Sequence, residues 1–305
     1  MKYFPIKIYI TFYLAIFSSF SLANSTHQFS VNFSKNWIEY IEGDASSYYM
    51  NATAYFTPVK KSATLPYART AFYSRTSSAS VSANKTKWDD LSSVVGVRVL
   101  QKMETKNYSI STFLAHKDLP IWSQLRYRYL DNTSAYFSND TKSVSDTDSI
   151  KDIALGVYLL DHLSINGFFS KQEDKTYGIG LSKLFNIGNF GFIETNLSYA
   201  ITRRDKIETN ITNNVVRNLD IEARSEKNRY LRISYYPIPQ TRLSLAYQQI
   251  DYDQYDWKDS YSEASIQHYF TKMLHTTLSY THKEAYFFDY LGEYNDIGLS
   301  LGIDF

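Results

Sequence analysis

The feature that most constrains this chain is a two-residue alternation of apolar with small or polar residues, repeated in short segments along most of its length. Ile153/Leu155/Val157/Leu159, Leu163/Ile165/Gly167/Phe169, Tyr177/Ile179/Leu181, Ile193/Thr195/Leu197/Tyr199/Ile201, Leu231/Ile233/Tyr235, Leu243/Leu245/Tyr247 and Leu274/Thr276/Leu278/Tyr280 each hold one parity largely apolar. The positions between them are mostly Gly, Ala, Ser, Asn, Arg or Glu. A period of two is that of a β-strand with two unlike faces. Asn-, Asp-, Ser- and Lys-rich stretches separate the segments, so the chain reads as all-β with antiparallel neighbours. Composition removes the other classes. There is no cysteine for disulfides or zinc knuckles, 17% of residues are aromatic, and the net charge of +1 lacks the basic excess of a nucleic-acid binder. A mean hydropathy of -0.36, with no long apolar run beyond the N-terminus, excludes a bundle of spanning helices.

The two ends say where such a sheet belongs. Lys2 and Lys7, the apolar stretch Ile8 to Phe20 and the small residues at Ser21 and Ala23 read as a secretory signal peptide over residues 1–23, so 24–305 is expected to be one exported domain. At the other end, Ile297, Leu299, Leu301, Ile303 and Phe305 share one parity, and Gly298, Ser300, Gly302 and Asp304 the other. This is a strand running to the last residue. It resembles the outer-membrane β-barrel family of Gram-negative bacteria, whose final strand ends in an aromatic residue. The resemblance implies that Phe305 is the signal read by the barrel assembly machinery, and that lipid and lipopolysaccharide are further partners.

Barrel strands of this kind need about 9 to 11 residues, with short periplasmic turns and longer outer connections. Short connections fall at Lys117 to Pro120, Asp161-His162, Asn186 to Asn189, Pro237 to Gln240 and Thr271 to Met273. Longer ones fall at Asp131 to Ser149, Arg203 to Lys227, Asp251 to Asp259 and Glu284 to Asn295, with brief outer connections near Glu104 and Asp174. Upstream, strands are expected near 28–35, 46–57, 66–75 and 77–86. The fourth of these is included because an even count is needed to return both termini to the periplasm, so the expectation is a transmembrane antiparallel up-and-down barrel of about 14 to 16 strands, 16 favoured. If Tyr67 to Ala83 is a single strand, 14 is the better count.

The 28 Tyr, set against only 6 Pro and 11 Gly, suit interfacial girdles better than the tight turns of a soluble sandwich. Trp122, Tyr127, Tyr129, Tyr158, Tyr199, Tyr235, Tyr236, Tyr247, Tyr269 and Tyr280 are assigned to such girdles. Ala54 to Val59 followed by Leu65 to Arg75, and the strand opening Lys175 to Leu181, are similar to segments of gammaproteobacterial porins. That likeness implies a passive pore for small polar solutes, and allows a homo-oligomer.

No catalytic, metal or cofactor motif appears. None of the six His residues sits in an HExxH arrangement or has the Ser-Asn-Gly spacing of the outer-membrane phospholipases, and Asp161-His162 reads as a hairpin turn, so no enzyme is expected. Asp251 to Asp256 lacks the Gly and closing Glu of a calcium loop. The lumen parity carries Arg69, Arg75, Arg98, Arg126, Arg128, Arg232 and Arg242 against Asp152, Glu194, Glu263 and Asp304. Two readings stand: a positively lined pore favouring anions, or arginines paired with lumen carboxylates that fill the barrel. A closed barrel acting as an adhesin or receptor through its outer loops is the alternative function.

Overall fold

The structure, a computed structural model, describes residues 26–40, 43–61, 65–94, 97–116, 118–137, 141–160, 162–172, 174–204, 224–253, 258–287 and 290–305. The leader expected over residues 1–23 lies outside them. Fourteen strands follow one another: β1 Thr26–Tyr40, β2 Gly43–Lys60, β3 Ser78–Val94, β4 Val97–Ala115, β5 Ile121–Phe137, β6 Thr141–Leu160 and β7 Leu163–Lys171, then β8 Lys175–Asn186, β9 Phe192–Arg204, β10 Arg224–Ile238, β11 Thr241–Tyr252, β12 Lys258–Tyr269, β13 Leu274–Phe287 and β14 Tyr290–Asp304. Each pairs antiparallel with its neighbours in chain order, and β1 closes on β14 with Phe33 opposite Leu301 and Trp37 opposite Ile297. The last residue is knitted into this seam. The Phe305 N–H donates to the Phe29 carbonyl at 2.8 Å, and its own carbonyl accepts from Gln28 and Phe29 at 2.8 and 2.7 Å.

The count is therefore 14, not the favoured 16. The strand expected at 66–75 is absent: Tyr67–Arg69 forms a 3-10 turn that runs into a single α-helical turn, Thr70–Tyr73. Its alternating Ala, Phe and Arg imitate a strand, but Pro66 sits at the turn's N-cap and Arg75 takes a left-handed φ of 55°, which ends the helical run. The connection expected near Glu104 also falls away, because β4 runs unbroken through that residue, opposite Lys87 of β3 and Thr133 of β5. Two expected long outer connections also shrink, since residues 131–137 and 141–149 pair as strands, as do 284–287 and 290–295. The expected short turns hold their places. His162 carries φ 63° between β6 and β7, and Gly191 (φ 93°) occupies a spot where any Cβ would lie 1.9 Å from the Tyr236 carbonyl oxygen.

Thr26, Phe305 and the described residues 61, 65–77, 116, 118–120, 162, 187–191, 239–240 and 270–273 lie at one end of the barrel, the terminal end; the opposite ends of the strands form the far end. Strands β3 to β6 have 17 to 20 residues against nine in β7, so this part of the wall stands tall at the far end. Around the outside, the apolar parity forms an exposed belt, with Leu155, Ile179 and Leu245 63%, 64% and 69% exposed. Facing inward are small hydroxyl pairs: Ser80–Ser111 at 2.8 Å, Ser82–Ser109 at 2.7 Å and Ser234–Ser244 at 2.8 Å. The alternation seen in the sequence is the alternation between these two faces.

Candidate functional site

The described part of the β2–β3 connection, Lys61 and residues 65–77, folds into the barrel and touches the wall on opposite sides. At its start Lys61 pairs with Asp304 of β14, donates to the Lys272 carbonyl at 2.6 Å and lies 4.2 Å above the Tyr269 ring. Burial pushes the Lys61 ammonium below its ordinary value, and the Asp304 charge opposes that shift. Tyr67 then meets Tyr269 of β12 edge-on at 5.6 Å, and its N–H donates to the Pro239 carbonyl at 2.9 Å.

The centre of the segment is anchored on β8 to β10. Arg69 Nε stands 2.7 Å from Glu194 Oε1, a charge contact without the alignment of a hydrogen bond. Glu194 also accepts from the Tyr236 hydroxyl at 2.8 Å and the Tyr73 hydroxyl at 3.3 Å. Beneath them Leu184, Phe192 and Tyr236 form a buried apolar cluster, against which Leu65, Ala68 and Tyr73 pack. Tyr73 reaches Ser182 at 3.2 Å and meets the His162 ring edge-on at 5.2 Å.

The far side is aromatic. Phe72 lies 5.5 to 5.9 Å from Phe113, Trp122 and Tyr158 of β4, β5 and β6, and its carbonyl accepts from the Tyr158 hydroxyl at 3.1 Å. Trp122 donates to Ser164 at 2.9 Å and occupies the space left by Gly156, where a Cβ would stand 2.2 Å from the indole. The Arg75 guanidinium covers Tyr158 at 4.9 Å, and Ser77 exchanges hydrogen bonds with the backbone of Ala115. From β14 round to β4, the segment is a plug seated across the terminal mouth.

Beside the plug a polar pocket of about 220 Å³ opens among Asn32, Tyr55, Lys61, Arg242, Gln267 and His275. The Arg242 Nε and Gln267 Oε1 atoms are buried there without a hydrogen-bond partner among the described residues. A small polar molecule could satisfy both.

Apart from Arg242 in this pocket, the candidate arginines fall into three groups. Arg126 and Arg128 lie inside the barrel and share Asp152 at 2.7 and 3.1 Å, and Arg232 pairs with Glu263 at 3.1 Å. Arg69 and Arg75 belong to the plug, not to a strand. Arg98 sits opposite Ser93 at the far end of β4, with its side chain outside the described set. Of the expected girdle, Tyr127, Tyr129, Tyr199, Tyr235, Tyr247 and Tyr280 face outward, whereas Trp122, Tyr158, Tyr236 and Tyr269 point inward and hold the plug or its seat. Parity could have separated them: Trp122, Tyr158, Tyr236 and Tyr269 lie in phase with the polar positions of their strands. Among the described residues no group of three or more His, Asp or Glu is placed to hold a metal ion.

No protein-family model and no curated protein matches the chain. Solved structures do. The outer membrane protein Omp33 of Acinetobacter baumannii aligns over 93% of this chain and 100% of its own, with a TM-score of 0.58 at 12% identity. The monoaromatic hydrocarbon channel CymD aligns over 92% and 89%, with a TM-score of 0.57 at 8% identity. A Pseudomonas aeruginosa FadL homologue gives 92%, 90%, 0.55 and 8%. The shared property is the fold: a closed antiparallel β-barrel.

Proposed function

We propose that this protein is an outer-membrane channel for small polar solutes whose periplasmic mouth is stopped by the 65–77 plug. The observation that carries the reading is the exposed apolar belt on a closed barrel whose interior is polar. A water-soluble chain rarely leaves so large an apolar area uncovered, whereas a bilayer requires it. Channels such as CymD share the fold, but a lumen of paired serines and Arg–carboxylate contacts favours polar cargo over hydrocarbon. Charge pairing quiets most of the arginines, so a weak anion preference rests chiefly on Arg242, which makes no ion pair among the described residues.

The test is planar-bilayer conductance under a salt gradient, comparing the intact chain with a variant in which residues 65–76 are replaced by a short Gly-Ser connection. The variant should show larger and more frequent steps than the parent. Equal conductance would remove the plug from the mechanism, and a cation-selective reversal potential would end the anion preference. Silence from both folded proteins would favour the closed barrel that binds surfaces through its outer loops.

A further inference from the structure

On the outer face of β6 to β9, the strand register brings four cations into one row. Lys151 stands opposite Lys171, Lys171 opposite Lys175, and Lys175 opposite Arg203. All four lie on the outward parity, in phase with Ile153, Phe169, Tyr177 and Ile201. Like charges directly opposite one another destabilise a sheet, and here three successive pairs do so. Among the described residues Lys151, Lys171 and Arg203 form no ion pair that would offset this repulsion.

Directly below the row, toward the terminal end, lies an apolar groove of about 830 Å³ on the same outer face. Ile153, Leu155, Tyr177, Ile179 and Tyr199 wall it, Gly167 leaves its floor without a side chain, and Arg203 reaches its upper edge. The opposite wall supplies the contrast. A second outer groove of about 720 Å³, between Ile233 and Ile297, has mixed charges above it, with Arg229–Asp251 at 3.0 Å, Lys227–Asp253 at 2.7 Å and His282–Glu284 at 3.6 Å. Cations there are paired within the protein, whereas Lys151, Lys171 and Arg203 over the first groove form no ion pair among the described residues.

We infer that the β6–β9 wall is a binding site for a phosphorylated, multiply acylated glycolipid of the outer leaflet, with its acyl chains in the groove and its phosphates on Lys151, Lys171, Lys175 and Arg203. The inference rests on the outer-membrane reading, which places the far end outside. Adjacent strands lie about 4.8 Å apart, so the row spans about 14 Å. That is broad for the single phosphodiester of a glycerophospholipid and suits a headgroup with two separated phosphates. The groove's breadth likewise accommodates several chains.

The probe is bis-phosphorylated lipid A, titrated against the folded, detergent-purified full chain and followed by native mass spectrometry. The parent should retain one lipid A, while fully dephosphorylated lipid A and phosphatidylglycerol should bind far more weakly. Replacing Lys151, Lys171 and Arg203 with Gln together should weaken binding about 100-fold, from three interfacial charges. Gly167→Leu, which fills the groove without meeting any atom closer than the Gly178 carbonyl at 3.9 Å from its Cβ, should weaken it independently. Lys35→Gln, on β1 and away from the row, should bind as the parent does. If the triple variant does not migrate as a heat-modifiable barrel, single Lys171→Gln and Arg203→Gln changes carry the test, each at about 5-fold. Parental affinity in the row variants, or equal binding of dephosphorylated lipid A or phosphatidylglycerol, would overturn the inference. Because binding is read without conductance, a silent barrel that still retains lipid A would separate failure of the channel reading from failure of this one.

Discussion

Replacing Glu194 with Gln should release the plug. Its carboxylate is almost fully buried, with 3% of the side chain exposed, and contacts Arg69, Tyr73 and Tyr236 at once. Gln preserves the volume and one acceptor oxygen, but leaves the Arg69 charge facing a neutral amide in a largely dry site. Removing one partner of a buried pair costs about 3–5 kcal/mol; since 27% of the Arg69 side chain is still exposed, about 2–3 kcal/mol is the better figure. That penalty falls on the seated plug alone, because an unseated Arg69 regains water in the lumen. At about 1.4 kcal/mol per decade, the ratio of open to closed time in bilayer recordings should rise about 30- to 150-fold. Arg69→Gln added to Glu194→Gln should do less harm than the two single effects combined, since the second change removes the stranded charge. An unchanged ratio in Glu194→Gln, or strictly additive effects in the double variant, would refute the view that this pair latches the mouth.

Two further outcomes follow from the same geometry. Lys61→Ala leaves Asp304 buried beside Tyr269 without its cation, and should lower the heat-denaturation temperature of the barrel and raise channel opening, at a cost of about 3–5 kcal/mol; unchanged gel heat-modifiability and conductance would show the pair to be idle. Gly156→Val drives a side chain into the Trp122 indole, which a Cβ already meets at 2.2 Å, and should cost about 1–3 kcal/mol and loosen the Phe72 contact, read as faster proteolysis at residues 65–76 in the folded protein.

The wall of the barrel was readable because each strand carries its own record of two environments. Leu243, Leu245 and Tyr247 alternate with Arg242, Ser244 and Ala246 whatever the rest of the chain does, and the register of β11 with β10 and β12 only confirms which side each set takes. The plug was misread for a related reason. Ala68, Thr70, Phe72 and Ser74 alternate with Arg69, Ala71, Tyr73 and Arg75, so a segment buried on most sides inside a barrel presents the same period as a strand between lipid and water. Period alone carries no information about whether hydrogen-bond partners lie across a ladder or within a turn. The far-end strand extensions were missed for the opposite reason: residues 131–134 and 145–149 are polar on both faces, so beyond the apolar belt there is no alternation to read, yet the backbone groups still pair.

Phe305 and the alternation before it were enough to place a last strand, and the polar-inside, apolar-outside pattern was enough to imply a barrel with a wet interior. Both are properties of a single strand and its immediate solvent. Which carboxylate faces which arginine, that Trp122, Tyr158, Tyr236 and Tyr269 grip a plug instead of lipid, and that Lys151, Lys171, Lys175 and Arg203 align into one row are decided only when strands distant in sequence come into register. Charge pairing and close packing depend on distances of a few ångströms between such strands, and no local pattern encodes those distances.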